Sequence, residues 1–153
     1  MQRLQCFVIT PSMTKRVVPN EILIPEVGKL LDEGREVELQ PKGNSMLPFI
    51  RQGKDNVLLK KQEPKKWDIV LARIAPDRYV MHRIIEEQGT NLTLMGDGNI
   101  AGYEHCKKED VLGVVIKIIK NGKKEITPPG GKFWRRLLPI RRYLLGFYRR
   151  LFL

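Results

Sequence analysis

The sequence predicts a mainly β, α+β fold: an antiparallel, partly barrel-like β domain with one helix before it and a basic amphipathic helix after it. Three observations carry this. From Arg35 the apolar residues alternate with period two, Val37 and Leu39 between Glu36, Glu38 and Gln40, as in a half-buried strand. Turn pairs then recur between short β-branched runs, at Asp77-Arg78, Gly89-Thr90 and Asn121-Gly122. On either side of this region the apolar period becomes helical. At 153 residues, 42% hydrophobic and 29% charged, the chain falls in the range of one folded domain and outside the disordered class.

The elements follow in order. Residues 1–34 form an N-terminal segment and helix. Within it Phe7 to Ile9 reads as a short strand, Asn20 as a helix cap and Glu21 as favourable first-turn charge. Ile22, Leu23, Val27, Leu30 and Leu31 then repeat at helical spacing until Gly34, which predicts a helix over 21–33. Residues 35–126 form the β domain, with strands at 56–61, 69–74, 79–86, 92–95 and 111–120. Thr127-Pro128-Pro129-Gly130-Gly131 breaks the pattern and reads as a linker. Residues 132–153 complete the chain as the amphipathic helix.

Charge divides the chain unevenly. Of its 28 basic residues, seven lie from Lys132 onward, where there is no acidic one; the preceding 21 face 17 acidic residues, so the body carries +4 of the net +11. Phe133, Leu137, Ile140, Leu144, Phe147, Tyr148 and Leu151 share one helical face, and the arginine pairs group largely on the other. Six arginines disfavour a bilayer span, each costing about 2.5–3.5 kcal/mol at its centre. The pattern describes a helix lying on an anionic membrane surface. The competing readings are a helix docked on the β domain and, less suited to so wide an apolar face, a nucleic-acid contact. No signal peptide or 20-residue apolar span is apparent at the N-terminus, so the expected location is cytoplasmic, with peripheral contact to the cytoplasmic membrane face. Cys6, Cys106, His82 and His105 match no zinc spacing, and no cofactor or metal is expected.

The chemistry-bearing stretches are Lys42 to Ile50, Tyr79 to Ile85 and Gly96 to Asn99. In the first, Gly43 lets the backbone turn and Pro48 restricts Leu47, so Ser45 sits on a constrained turn. Tyr79-Val80-Met81-His82-Arg83-Ile84-Ile85 sets one histidine in an apolar strand. A serine becomes nucleophilic near neutral pH with a base such as histidine, and an acid orients that base. The order Ser45, His82, Asp97 supplies the three.

Gly43-Asn44-Ser45-Met46-Leu47-Pro48 resembles the nucleophile box of the signal peptidase I and LexA-like serine protease clan. Trp67-Asp68-Ile69-Val70 is similar to the strand that follows it, usually Gly-Asp-Ile-Val, and residues 79–85 resemble the base box. Gly96-Asp97-Gly98-Asn99 resembles the Gly-Asp-Asn-Asn turn, and Val111-Leu112-Gly113-Val114-Val115 the late valine-glycine strand. The likeness covers residues 38–117. Histidine stands where bacterial-type members carry lysine, so the resemblance is to the endoplasmic-reticulum type, without its N-terminal anchor. It implies a serine endopeptidase acting on a peptide or protein precursor. Ser45 would be the nucleophile, His82 the base and Asp97 the supporting acid, with Asp110 as the alternative acid. Gly43, Asn44 and Met46 would border the oxyanion and substrate cleft. The serine hydroxyl that often assists from two residues upstream is absent at Gly43. A non-catalytic peptide-binding module and a LexA-like autocleaving regulator are the other readings.

Overall fold

The computed structural model describes residues 6–9 and 20–153, with side chains from Ile22 onward. Nine strands form one antiparallel sheet: β1 (Cys6–Ile9), β2 (Val37–Pro41), β3 (Asn56–Lys60), β4 (Ile69–Ala75), β5 (Arg78–Gln88), β6 (Asn91–Met95), β7 (Glu104–Lys107), β8 (Val111–Lys120) and β9 (Lys124–Ile126). The helices are α1 (Asn20–Asp32), α2 (Gly131–Arg136) and α3 (Leu138–Phe152). Spatial order along the sheet is β1-β2-β3-β8-β4-β5-β6-β7, with β9 added beside β8. The sheet is open: its outermost strands β1 and β7 pair with β2 and β6 and not with each other.

The expected antiparallel β domain is thus present, and its elements start and stop for local reasons. Asn121 and Gly122 both take positive φ, 52° and 67°, which is the primed turn that joins β8 to β9. After α1, Gly34 enters the left-handed region at φ 81°. The Gly34 N–H then donates to Leu31 O and the Arg35 N–H to Leu30 O, a double closure that satisfies the helix's last carbonyls. On α1, Leu23, Ile24, Val27 and Leu31 are buried at helical spacing and join the core formed by β2, β3, β4, β5 and β8. Burying each such side chain stabilises by about 1.5–3 kcal/mol.

Two features depart from the sequence reading. The tail is two helices, not one, because the chain bends at Leu137, two residues ahead of Pro139. And residues 127–131 are seated against the domain: Pro129 O accepts from Arg83 Nη1, and a Cβ at Gly131 would lie 2.2 Å from Arg83 Cδ. The tail is therefore docked through part of its surface, with Gly131, Arg141 and Leu145 buried.

Asp55, fully buried, fastens the loop between β2 and β3 to the β8–β9 turn. It accepts from Arg51 Nε and Nη2, from the Arg51 and Asn121 N–H groups and from Lys120 Nζ, and Lys120 also reaches Phe49 O. Burial alone would raise this carboxyl, but the hydrogen bonds outweigh it and hold Asp55 well below the ordinary carboxylate range. A depressed carboxyl adds stability above the unfolded-state value of about 3.9, and that stability is lost as pH falls towards the folded value. Asp55→Ala should cost about 3 kcal/mol at neutral pH by leaving the half-buried Arg51 and Lys120 cations and two backbone N–H groups without their acceptor. In acid titrations followed by circular dichroism, wild type should lose stability below about pH 4 more steeply than Asp55→Asn. Parallel acid profiles would reject Asp55 as the source of this pH dependence.

Candidate active site

Ser45 lies in the turns that leave β2. Gly43 adopts φ 103° and donates its N–H to Gln52 Oε1 at 2.8 Å, closing the base of the loop. Leu47 N–H donates to Asn44 O at 3.3 Å, and the Phe49 and Ile50 N–H groups both donate to Met46 O at 3.0 Å. Met46, Leu47 and Ile50 point into buried space, so the loop is anchored from beneath while Ser45 stays half-buried at its crest.

The turn after β6 presses directly on this crest. Gly98 N–H donates to Ser45 O at 2.7 Å. A Cβ on Gly96 would stand 2.4 Å from Ser45 O, and one on Gly98 would stand 2.3 Å from Asn44 O. Both distances are shorter than any real carbon contact, so the two glycines permit a backbone-on-backbone approach that no other residue allows. The nucleophile box and the Gly-Asp turn of the resemblance are therefore in contact.

His82 projects from β5 and is only 5% exposed. Its Nδ1 lies 2.8 Å from Glu104 Oε2. The ladder explains the meeting: Ile84 pairs with Leu94 and Leu94 with Glu104, so His82, two residues before Ile84, shares a sheet face with Glu104. The hydrogen bond from His82 lowers the Glu104 carboxyl below its ordinary range, with burial opposing and the His82 and Arg78 charges assisting. The β5–β6 pairing ends at Arg83–Met95, so His82 and Gly96 are the next residues along the two segments beyond it, and Gly96 is the one that Ser45 O approaches. Among the described residues no hydrogen bond joins Ser45 Oγ to His82.

Several expected roles are corrected by position. Asp97 does not reach His82. It points to the other side of β5 and forms a buried pair with Arg83: Nη2 donates to Oδ2 at 2.7 Å, and Nε donates to both oxygens at 2.9 and 3.1 Å. The reason is strand alternation, since Arg83 and His82 face opposite ways and Asp97 follows Met95, the partner of Arg83. Asp110 is occupied elsewhere, accepting from the Lys107 N–H and from Arg73 Nη2. Met46 packs in the core. Gly43 and Asn44 shape the loop through their backbones.

The carboxylate that does meet His82, Glu104, was missed because it sits 22 residues away in a strand of four polar-looking residues, Glu-His-Cys-Lys. His105 is exposed and shares a 3.4 Å contact with Thr93 Oγ1. Burial and then the Asp110 charge push the Cys106 thiol up to about 11, which keeps it protonated and unreactive near neutrality. It borders a cavity of about 560 Å³ whose lining includes Leu92, Thr93, His105 and Asp110 and neither Ser45 nor His82. Among the described residues no group of three or more His, Cys, Asp or Glu side chains is arranged to hold a metal ion.

Comparison of the chain with protein-family models, with curated proteins and with solved structures gives no match.

The two carboxylates separate by experiment. Asp97→Ala should cost about 3–5 kcal/mol in urea unfolding, because it leaves the Arg83 charge buried without a partner. Glu104→Ala, at a side chain 21% exposed, should cost only about 1 kcal/mol. The reverse order would mean that Glu104, and not Asp97, supports the fold.

Proposed function

We propose that the chain is a serine endopeptidase similar to the signal peptidase clan, with Ser45 as nucleophile, His82 as base and Glu104 as the acid that orients the base. The observation that carries this reading is the part-buried His82–Glu104 hydrogen bond, on the strand next to the one that leads into the glycine turn holding the Ser45 backbone. A carboxylate on Nδ1 fixes the tautomer in which Nε2 is free to accept a proton, and it stabilises the imidazolium that follows. Catalytic hydrogen bonds commonly tighten only when substrate is bound, which is consistent with a Ser45 Oγ that makes no hydrogen bond to His82 among the described residues.

In the proposed reaction Ser45 Oγ attacks the scissile carbonyl carbon as His82 takes the hydroxyl proton. The tetrahedral intermediate collapses, the C–N bond breaks and His82 returns the proton to the leaving amine. Water, deprotonated by the same imidazole, then hydrolyses the acyl-enzyme. The Ser45 N–H donates no hydrogen bond among the described residues and is the natural oxyanion donor. Gly43 supplies no second one. A missing donor costs about 2.7–4 kcal/mol of transition-state stabilisation, so slow turnover is expected. That deficit also favours the second reading, a module that binds peptides without cutting them.

Fluorogenic peptides with small residues before the scissile bond test the choice. Cleavage should fall by about 1,000-fold or more in Ser45→Ala and His82→Ala, and by a comparable factor in Glu104→Gln. Rates in wild type should rise with pH as the base loses its proton, because only neutral imidazole accepts one. Full activity in His82→Ala overturns the assigned base. Peptide binding without cleavage by wild type selects the binding module.

A further inference from the structure

The docked tail leaves a second face that has no partner among the described residues. On α3 the inward sector holds Arg141 and Leu145, 2% and 3% exposed, with Tyr148 half-buried beside them. The contacts on this side are specific. Trp134 Nε1 donates to Asp97 O, Arg141 donates to Asn99 O and Trp134 O, and Trp134 meets the Phe49 ring edge-on at 5.4 Å. Ile140, Tyr143, Leu144, Phe147 and Leu151 are exposed by 39–67%. At about 100° per residue their sector is centred roughly 120° from the docked one. Arg142, Arg149 and Arg150 are exposed as well and occupy the remaining sector. The helix is therefore three-sided: docked, apolar and cationic.

A continuous apolar stripe left in water is an interaction site, and the charge around it selects the occupant. Residues 132–153 carry seven basic and no acidic side chains. A second copy of this chain would bring the same seven cations to the interface. Nucleic acid would engage the arginines and leave five large apolar side chains wet. An anionic bilayer satisfies both sectors, since the apolar stripe enters the acyl boundary and the arginines meet the headgroup layer. A helix is about 10–12 Å across, so even arginines on its far side stay near one Debye length, about 8–10 Å, from the lipid charge. Among the described residues no helix is long and apolar enough to cross the membrane, which matches a helix lying in the surface.

We propose that α3 seats the protein on anionic lipid surfaces through Ile140, Tyr143, Leu144, Phe147 and Leu151 while its Arg141–Leu145 side stays docked on the β domain. This does not depend on the peptidase reading, and its test uses no activity. Full-length protein is co-sedimented with vesicles of phosphatidylglycerol and phosphatidylcholine and, separately, with pure phosphatidylcholine. Wild type should bind the mixed vesicles strongly, more weakly in 0.5 M salt, and the neutral vesicles poorly.

Ile140→Ser/Leu144→Ser/Phe147→Ser, all at exposed positions, should abolish binding with an unchanged melting temperature. Arg142→Gln/Arg149→Gln/Arg150→Gln should weaken it on the order of 100-fold at low salt. Equal sedimentation of wild type and the serine variant, or failure of wild type to bind the mixed vesicles, overturns the proposal. So does a concentration-dependent dimer that the serine variant abolishes, because it would assign the stripe to a second copy.

Discussion

Arg83 is the group on which the surrounding structure depends. One guanidinium holds the Asp97 carboxylate, the Trp67 carbonyl and the Pro129 carbonyl, and it lies 5.7 Å from the centre of the Phe49 ring. Those partners come from the turn after β6, the turn before β4, the segment entering α2 and the loop that carries Ser45. A buried ion pair adds little net stability over an apolar substitute, because desolvation offsets the attraction. Its value here is geometric: a charge that must be satisfied admits few arrangements of the four segments. Trp67 shows the strain this imposes, adopting φ 80° so that its carbonyl faces Arg83 and its N–H meets Ile84 O.

Neighbouring side chains on β5 thus divide the labour. Arg83, with Asp97, organises one face of the sheet, and His82, with Glu104, occupies the other. The turn at residues 96–99 serves both, giving Asp97 to one face and its glycines to the backbone of Ser45. A carboxylate in that turn supports the candidate site by fixing the shape of the loop and not by touching the imidazole. The tail closes the same assembly from outside through Trp134 and Arg141. Arg141 is buried and its Nε has no hydrogen-bond partner among the described residues, while burial lowers its affinity for a proton despite the nearby Asp97.

What was legible in the sequence follows from the range of the signals. α1, β3, β4, β5, β6 and β8 show clear apolar periods, and the structure places them within a few residues of expectation. β7 carries no such signal, because Glu104, His105, Cys106 and Lys107 alternate without a hydrophobic face. Glu104 was invisible for the same reason: finding it requires the β6–β7 register, which only folding supplies. Asp97 was matched to His82 by order along the chain, yet a buried arginine beside a histidine demands its own carboxylate, and Arg83 was that signal. In the tail, one apolar face was legible but not its division into a docked and a free sector. That division depends on Trp134 and Arg141 finding carbonyls at residues 97 and 99.

The glycine pair at residues 130 and 131 reads as flexibility, but its second member is a steric requirement. Gly131 is buried against the Arg83 side chain, with no room between them for a methyl group. Positions 83 and 131, 48 apart in sequence, are consequently unable to drift independently. A relative that acquires a β-carbon at 131 has to shorten the side chain at 83 or give up the docked tail. Covariation between these two columns, in whatever relatives the chain has, would record in sequence whether the tail is held against the domain.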